Sequence, residues 1–277
     1  MPKPMLPVAL LAAAVISWGC GEKPPKPATA PAPNVVTFEA VDYGFSGPGN
    51  TPAGVTTLRL VNHGKDLHHL ILIRLDDGKT LADLMALKPT DAPPTWAKEV
   101  GGPNAAEPGG EASATLTLEP GRYAMVCFIP TVEGIPHVVK GMAATLEVGP
   151  ATGSAAAEPE ADVVLTLVDY NFGFSTPLTA GPHVIRIENT GAQVHEVILL
   201  RLEPGKSVQD FLAWVEKRQG PPPAHLMSGM GALQPGRHAS FSGDFTPGDY
   251  GLVCFVPDLK DGKPHFVHGM IQQFKVQ

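Results

Sequence analysis

The sequence predicts an all-β protein: two tandem β-sandwiches, each carrying one short inserted helix. Three observations predict this. Gly and Pro each number 30 in a chain of 277 residues, punctuation that breaks long helices and joins short strands by turns. Within the runs between them apolar residues alternate, which is the period of a strand with one face buried. Finally, the chain repeats itself at a fixed offset. With 43% hydrophobic and 17% charged residues, the chain has enough apolar material for packed cores, and disorder is excluded. A net charge of −7 excludes a broad basic footprint, so nucleic acid is not expected as a partner.

The repeat fixes the domain plan. Asp42-Tyr43 recurs as Asp169-Tyr170, Asn62-His63-Gly64 as Asn189-Thr190-Gly191, and His68 as His195. Pro120-Gly121-Arg122-Tyr123 recurs as Pro247-Gly248-Asp249-Tyr250, and Cys127-Phe128 as Cys254-Phe255, all at an offset of 127 residues. The offset becomes 128 for His137/His265 and Met142/Met270, after one insertion. Two copies of one domain are therefore expected at 35–149 and 163–277, joined by an Ala/Pro/Glu-rich linker at 150–162. Each is large enough for a single core.

In chain order, 1–20 reads as a signal peptide: Lys3, then an apolar run from Met5 to Gly19, too short to span a bilayer. It ends on Cys20 and resembles a bacterial lipoprotein signal, with Cys20 as the lipidated residue. The stretch 21–34, Pro/Ala-rich, reads as a tether. In the first copy, Leu58 alternates with Leu60, Leu116 with Leu118, Tyr123 with Met125 and Cys127, and Leu146 with Val148, each a strand signal. One segment per copy breaks that period. Val208, Phe211, Leu212 and Val215 recur at helical spacing within 206–218, with Ser207 and Asp210 as a capping pair; Thr80 and Asp83 cap the counterpart. The same caps account for Gly78-Lys79-Thr80 and Gly205-Lys206-Ser207. A phosphate loop needs a glycine five residues earlier, where Ile73 and Leu200 stand.

Each copy then offers one mid-chain histidine and a late Cys, His and Met: His68, Cys127, His137 and Met142, then His195, Cys254, His265 and Met270. One thiolate, two imidazoles and a thioether suit a trigonal copper site with a weak axial sulfur. A lone strand cysteine is more often a small buried hydrophobe; its recurrence beside matching His and Met favours the metal. A Cys127–Cys254 disulfide is disfavoured, each being mid-strand in its own copy. His69, whose counterpart is Glu196, reads as a solvated neighbour; His268 reads as exposed, with a ligand role in place of His265 as the alternative. His63, His183 and His238 read as surface, and His225, Met227 and Met230 as a flexible Gly-rich loop with a second copper-loading site as the alternative.

These residues resemble the cupredoxins, the blue copper protein family. The similar segments are Asn62-x-Gly64-x-x-x-His68 and Asn189-x-Gly191-x-x-x-His195, the Pro-Gly-x-Tyr-x-x-x-Cys runs at 120–127 and 247–254, and Pro136-His137 and Pro264-His265 followed by the methionines. The resemblance implies Greek-key sandwiches, up to two coppers, and a tyrosine corner at Tyr123 and Tyr250. One departure stands out: nine residues separate Cys127 from His137 and ten separate Cys254 from His265, where the family has two to four. The extra residues are expected to form a small excursion, with a turn at Asp261-Gly262.

The function expected is an exported copper-binding electron-transfer protein, periplasmic or on the cell surface, lipid-anchored through Cys20 to a membrane. The alternatives are a copper-free binding module and a copper storage or delivery protein. No enzymatic activity is expected, because Val126/Phe128 and Val253/Phe255 flank the cysteines where tandem copper oxidases and nitrite reductases place a histidine. The first copy carries 8 basic and 13 acidic residues, the second 9 and 10. A redox partner such as a c-type cytochrome could be steered by that acidic first copy, with simple solubility as the preferred explanation of the charge.

Overall fold

In the computed structural model the described residues are 1, 31–88, 93–217 and 219–277. The expected leader, Cys20 and most of the tether lie outside them. The first copy forms β1 (Asn34–Val41), β2 (Gly44–Ser46), β3 (Asn50–Pro52), β4 (Gly54–Asn62), β5 (Ile71–Leu75), α1 (Leu81–Met85), β6 (Ala97–Gly101), β7 (Glu111–Leu118), β8 (Gly121–Val126) and β9 (Ala143–Gly149). The second forms β10 (Val163–Val168), β11 (Asn171–Phe174), β12 (Gly181–Asn189), β13 (His195–Leu202), α2 (Val208–Lys217), β14 (Ala224–Leu233), β15 (His238–Phe245), β16 (Gly248–Val253) and β17 (Ile271–Val276). The protein is all-β, with one short α-helix per copy among the described residues.

Two sheets face each other. One runs β11-β10-β12-β15-β7-β4-β1-β2, the other β17-β16-β13-β14-β6-β5-β8-β9-β3. Both sheets pass from one copy into the other. Ser240 on β15 pairs with Thr115 on β7, and Leu233 on β14 with Val100 on β6. The sandwiches are thus fused edge to edge, which pairs strand edges that two separate domains would leave open.

The strand pattern follows burial. On β4, Thr56, Leu58, Leu60 and Asn62 face inward; on β7, Ala112, Ala114, Leu116 and Leu118 do the same. Central β5 and β13 read as continuous apolar runs because both faces are covered. The outer face of β5 carries Ile71 and Ile73, packed with Leu81, Leu84 and Trp96; that of β13 carries Leu200 and Leu202, packed with Val208 and Phe211. The stripe on α2 is core, as its spacing predicts. The counterpart α1 is only five residues long with none buried, and Pro89 soon after it opposes further helix. The tyrosine corners are present: Tyr123 Oη donates to Glu119 O at 2.8 Å, and Tyr250 Oη to Thr246 O at 3.0 Å.

Two readings are corrected here. The segment of His225, Met227 and Met230 is not a loop but part of β14, and Met230 is fully buried. Its glycines serve the fusion: a Cβ on Gly231 would lie 2.4 Å from Ile71 Cδ1. His69 and Glu196 are not solvated. Both are 7% exposed.

Candidate metal centre

The Asn-x-Gly motifs shape the loop that carries the first histidine. Asn62 Nδ2 donates to Asp66 O and Ala106 O at 2.8 and 2.9 Å, while its Oδ1 accepts from Gly64 N–H. Asn189 repeats this with Gln193 O, Leu233 O and Gly191 N–H. Glycine is required next to it: a Cβ on Gly64 would lie 2.4 Å from Asp42 Oδ1 and 2.7 Å from His68 Nε2, and Gly191 is equally crowded by Asp169 and His195. The loop therefore presses an aspartate against each histidine. His68 Nε2 meets Asp42 Oδ1 at 2.8 Å, and His195 Nε2 meets Asp169 Oδ1 at 2.9 Å. Burial raises both carboxyls, but the loop N–H groups and the histidine rings outweigh it and hold them below their ordinary value. An ionised carboxylate accepts, so Nε2 carries the proton and Nδ1 is left with its lone pair.

The cysteines stand just past β8 and β16, and the long insertions after them return as small hairpins. Pro130 bridges to Pro136, and Pro257 to Pro264. Gly134 and Gly262 turn the chain at φ +80° and +70°. Past the hairpin, Val138 N–H donates to Cys127 O and Phe266 N–H to Cys254 O, at 2.8 and 3.0 Å. The extra residues thus leave and rejoin without displacing the second histidine. His137 Nδ1 lies 3.5 Å from Cys127 Sγ and 3.1 Å from His68 Nδ1. His265 Nδ1 lies 3.5 Å from Cys254 Sγ and 3.0 Å from His195 Nδ1. All six residues are fully buried, and each set of three brings its ligand atoms within 4.8 Å of one another. Met142 and Met270, also fully buried, are tied in through the backbone. The Cys127 N–H donates to Met142 O, and the Met142 N–H to His137 O, at 3.2 and 3.0 Å; Cys254, Met270 and His265 repeat both bonds.

Burial pushes the Cys127 thiol up to about 12 against the backbone N–H groups of His69 and Ile129. It pushes Cys254 up as well, with the Glu196 carboxyl adding to the rise. Burial lowers His265 to about 4, helped by His195 beside it, and lowers His195 despite Asp169. Both pockets therefore favour the neutral thiol, and the second also favours neutral imidazoles. In the copy-two pair the unprotonated Nδ1 of His195 faces a ring that resists protonation. A cation that takes the thiolate and both nitrogens displaces the thiol proton. The residues fit copper by donor chemistry: soft sulfur suits Cu(I) and imidazole suits Cu(II).

Around this common centre the copies differ. Tyr43 Oη bonds to Asp66 in copy one, and Lys140 lies 4.8 Å over the Tyr43 ring. In copy two Gln193 stands at the place of Asp66, and Tyr170 Oη bonds instead to Asp258. His268 sits 3.2 Å from Asp261 and against the Tyr170 ring, while His265 keeps the place beside Cys254. Asp258, Asp261 and His268 form a further group with convergent ligand atoms. The Asp258 carboxylate in it already accepts from Tyr170, Gln193, Lys260 and Asp261, so it has little left to offer an ion. Sequence reading gave no role to Asp42 and Asp169. Their signal was present, since Asp42-Tyr43 recurs at the common offset of 127.

The chain is similar to several solved structures. Auracyanin from Roseiflexus castenholzii is 18% identical over 43% of this chain and 100% of its own, with a TM-score of 0.29. Copper nitrite reductase from Nitrosomonas europaea aligns with 89% of this chain and 94% of its own, at 15% identity and a TM-score of 0.26. Blue copper oxidase from the same organism aligns with 87% of this chain and 85% of its own, at 13% identity and a TM-score of 0.26. No protein-family model matches the chain, and no curated protein does. The expectation of no enzymatic activity is corrected by these neighbours, which include copper enzymes.

Proposed function

We propose that the protein binds copper at two type-1-like centres, one per copy, and carries electrons. His68, Cys127, His137 and Met142 would hold one ion, and His195, Cys254, His265 and Met270 the other. Copper supplies one-electron chemistry, cycling between Cu(II) and Cu(I). The observation that carries the reading is the twice-built, fully buried Cys–His–His cluster with paired Nδ1 atoms at 3.1 and 3.0 Å. The chain's own part is to fix the donors before the ion arrives. Asp42 and Asp169 orient the first imidazole, the hairpins return the second, and the sandwich keeps water out. Burial of all six donors favours a held ion over one being passed on, since delivery needs a donor an acceptor can reach.

Copper reconstitution of the purified protein lacking 1–20 tests this. A strong visible thiolate-to-copper band is expected, lost in the Cys127→Ser plus Cys254→Ser double variant. A colourless protein that retains no Cu(II) would leave the copper-free binding module as the reading.

Export and lipid anchoring are part of the proposal. Among the described residues no helix is long and apolar enough to cross a membrane, so attachment would rest on Cys20. Cys20→Ser should move the protein from the membrane to the soluble fraction. A c-type cytochrome remains the proposed redox partner; Phe128, Val132, Ile135 and Val139, exposed around the copy-one loop, offer it apolar contact.

A further inference from the structure

Where the copies fuse, three polar side chains are buried together: His69 and Glu196 at 7% exposure and Asn104 at 0%. Each flanking residue directly follows a ligand histidine and makes one contact with the cysteine of its own copy and one with the residue after it. The His69 side chain accepts the Phe128 N–H on Nε2 at 2.8 Å, which fixes the residue after Cys127. Its own backbone N–H hydrogen-bonds Cys127. The Glu196 side chain accepts the Phe255 N–H on Oε1 at 3.0 Å, and its backbone N–H lies 3.5 Å from Cys254 Sγ. A histidine and a glutamate thus do the same work in the two copies, because both can accept one backbone N–H.

Asn104 joins them. Its Nδ2 lies 3.3 Å from Glu196 Oε2 and also reaches Val197 O and Met230 O at 3.2 and 3.3 Å. On the other side it hydrogen-bonds the His69 ring. Neutral His69 accepts on Nε2, so its proton is on Nδ1 and needs an acceptor. Asn104 Oδ1, a buried atom that makes no close hydrogen bond, is the acceptor on that side. One line of polar contacts results, from the residue after Cys127, through His69, Asn104 and Glu196, to the residue after Cys254. Apolar side chains would seal this junction at less cost, so burial alone does not explain it.

We propose that His69, Asn104 and Glu196 form a positioning bridge that couples the two metal centres, so that filling one changes the affinity of the other. This rests on the metal-binding reading above. Hydrogen bonds around a ligand sulfur tune its donor strength. A ligand that re-aims one end of the line strains or relaxes the other, and the coupling must be reciprocal.

The test is titration of the metal-free full chain with Co(II), read by the thiolate-to-metal charge-transfer band. The intact chain, Cys127→Ser and Cys254→Ser are each titrated, giving the two-site constant and the two single-site constants. Their ratio is the coupling factor. It is expected to depart from 1 by at least about fivefold, and to return to 1 when the three titrations are repeated with Asn104→Leu. A merely structural role would alter unfolding and leave the factor unchanged. Asn104→Ser, smaller and still polar, is the second variant and should also return the factor to 1. A factor of 1 in the intact chain, with two equivalents bound, overturns the bridge and leaves the metal reading standing. Absence of any band overturns both.

Discussion

The two copies agree at the centre and differ around it. Cys, His, His and the aspartate behind the first histidine occupy matching places, with Nδ1 separations of 3.1 and 3.0 Å and Asp–His distances of 2.8 and 2.9 Å. One residue further out the charge changes. His69 faces Glu196, Asp66 faces Gln193, and Lys140 faces His268 at equivalent positions. The lesson is that the donor set and its geometry are one requirement and the surrounding field another. The second differs without disturbing the first. Two centres with the same ligands in different fields would have different affinities and different reduction potentials.

The sharpest way to break that comparison is to remove one cysteine at a time. Cys127→Ser and Cys254→Ser should each abolish one centre, lowering affinity there by more than about 100-fold, since even outer-shell partners cost 10–100-fold. Each should leave the other centre's band in place, and the two surviving bands should differ in position. Superimposable bands from the two variants would show that the outer differences are not felt at the metal.

Next in size is the contrast between helices. Phe211 is 3% exposed and packs with Leu200 and Leu202, so Phe211→Ala should cost about 3 kcal/mol. Leu84 on α1 is only partly buried, and Leu84→Ala should cost less than about 1 kcal/mol. Urea unfolding of the metal-free protein measures both. Equal losses would contradict the unequal burial of the two helices.

The His69/Glu196 pair gives opposite pH dependence in the metal-free protein. Burial pushes His69 down to about 3, against its bond to Asn104 and with His137 and His68 adding to the fall. From an ordinary value near 6.5 the unfolded chain binds the extra proton between about pH 3 and 6.5, so stability falls as pH drops through that window. Burial pushes Glu196 up to about 7, against its bonds to Phe255 and Asn104. From an ordinary value near 4.5 the folded state holds the extra proton between about 4.5 and 7, so stability falls as pH rises there. Each slope approaches about 1.4 kcal/mol per pH unit, and where the windows overlap they cancel. His69→Gln should therefore uncover the Glu196 slope, with stability falling as pH rises from about 4.5 to 6.5, and Glu196→Gln the opposite His69 slope over the same range, read as urea midpoints from pH 4 to 8. A variant that shifts the whole curve without changing either slope would count against burial as the cause.

Much of this was legible in the sequence because it repeats. Offsets of 127 and 128 paired the candidate ligands, and alternation at Leu58/Leu60 and Leu116/Leu118 placed the sandwich faces. What escaped depends on contacts between distant segments. His69 reads as solvent-facing because nothing in its local pattern announces Phe128 and Asn104, distant in sequence, which it contacts when buried. The fusion of the sheets rests on single residue pairs such as Leu233 with Val100, which no local pattern announces. The fate of the Cys-to-His insertion was open for the same reason: proline bridges at Pro130/Pro136 and Pro257/Pro264 decide that the ends rejoin.

The smallest effect separates local from global stability. Thr80 and Ser207 cap their helices in the same way: Thr80 Oγ1 accepts from Asp83 N–H at 3.2 Å and Ser207 Oγ from Asp210 N–H at 3.2 Å, while each aspartate accepts the cap N–H in return. Removing either hydroxyl should cost about 1 kcal/mol of local helix stability. Because α2 is anchored by buried Val208 and Phe211, its loss is shared with the core, and Ser207→Ala should lower the global urea midpoint. No residue of α1 is buried, so Thr80→Ala should leave the global midpoint in place and appear only as faster amide hydrogen exchange across 81–86. A matching drop in midpoint for both variants would mean that α1 is held by the fold as firmly as α2, which its burial does not suggest.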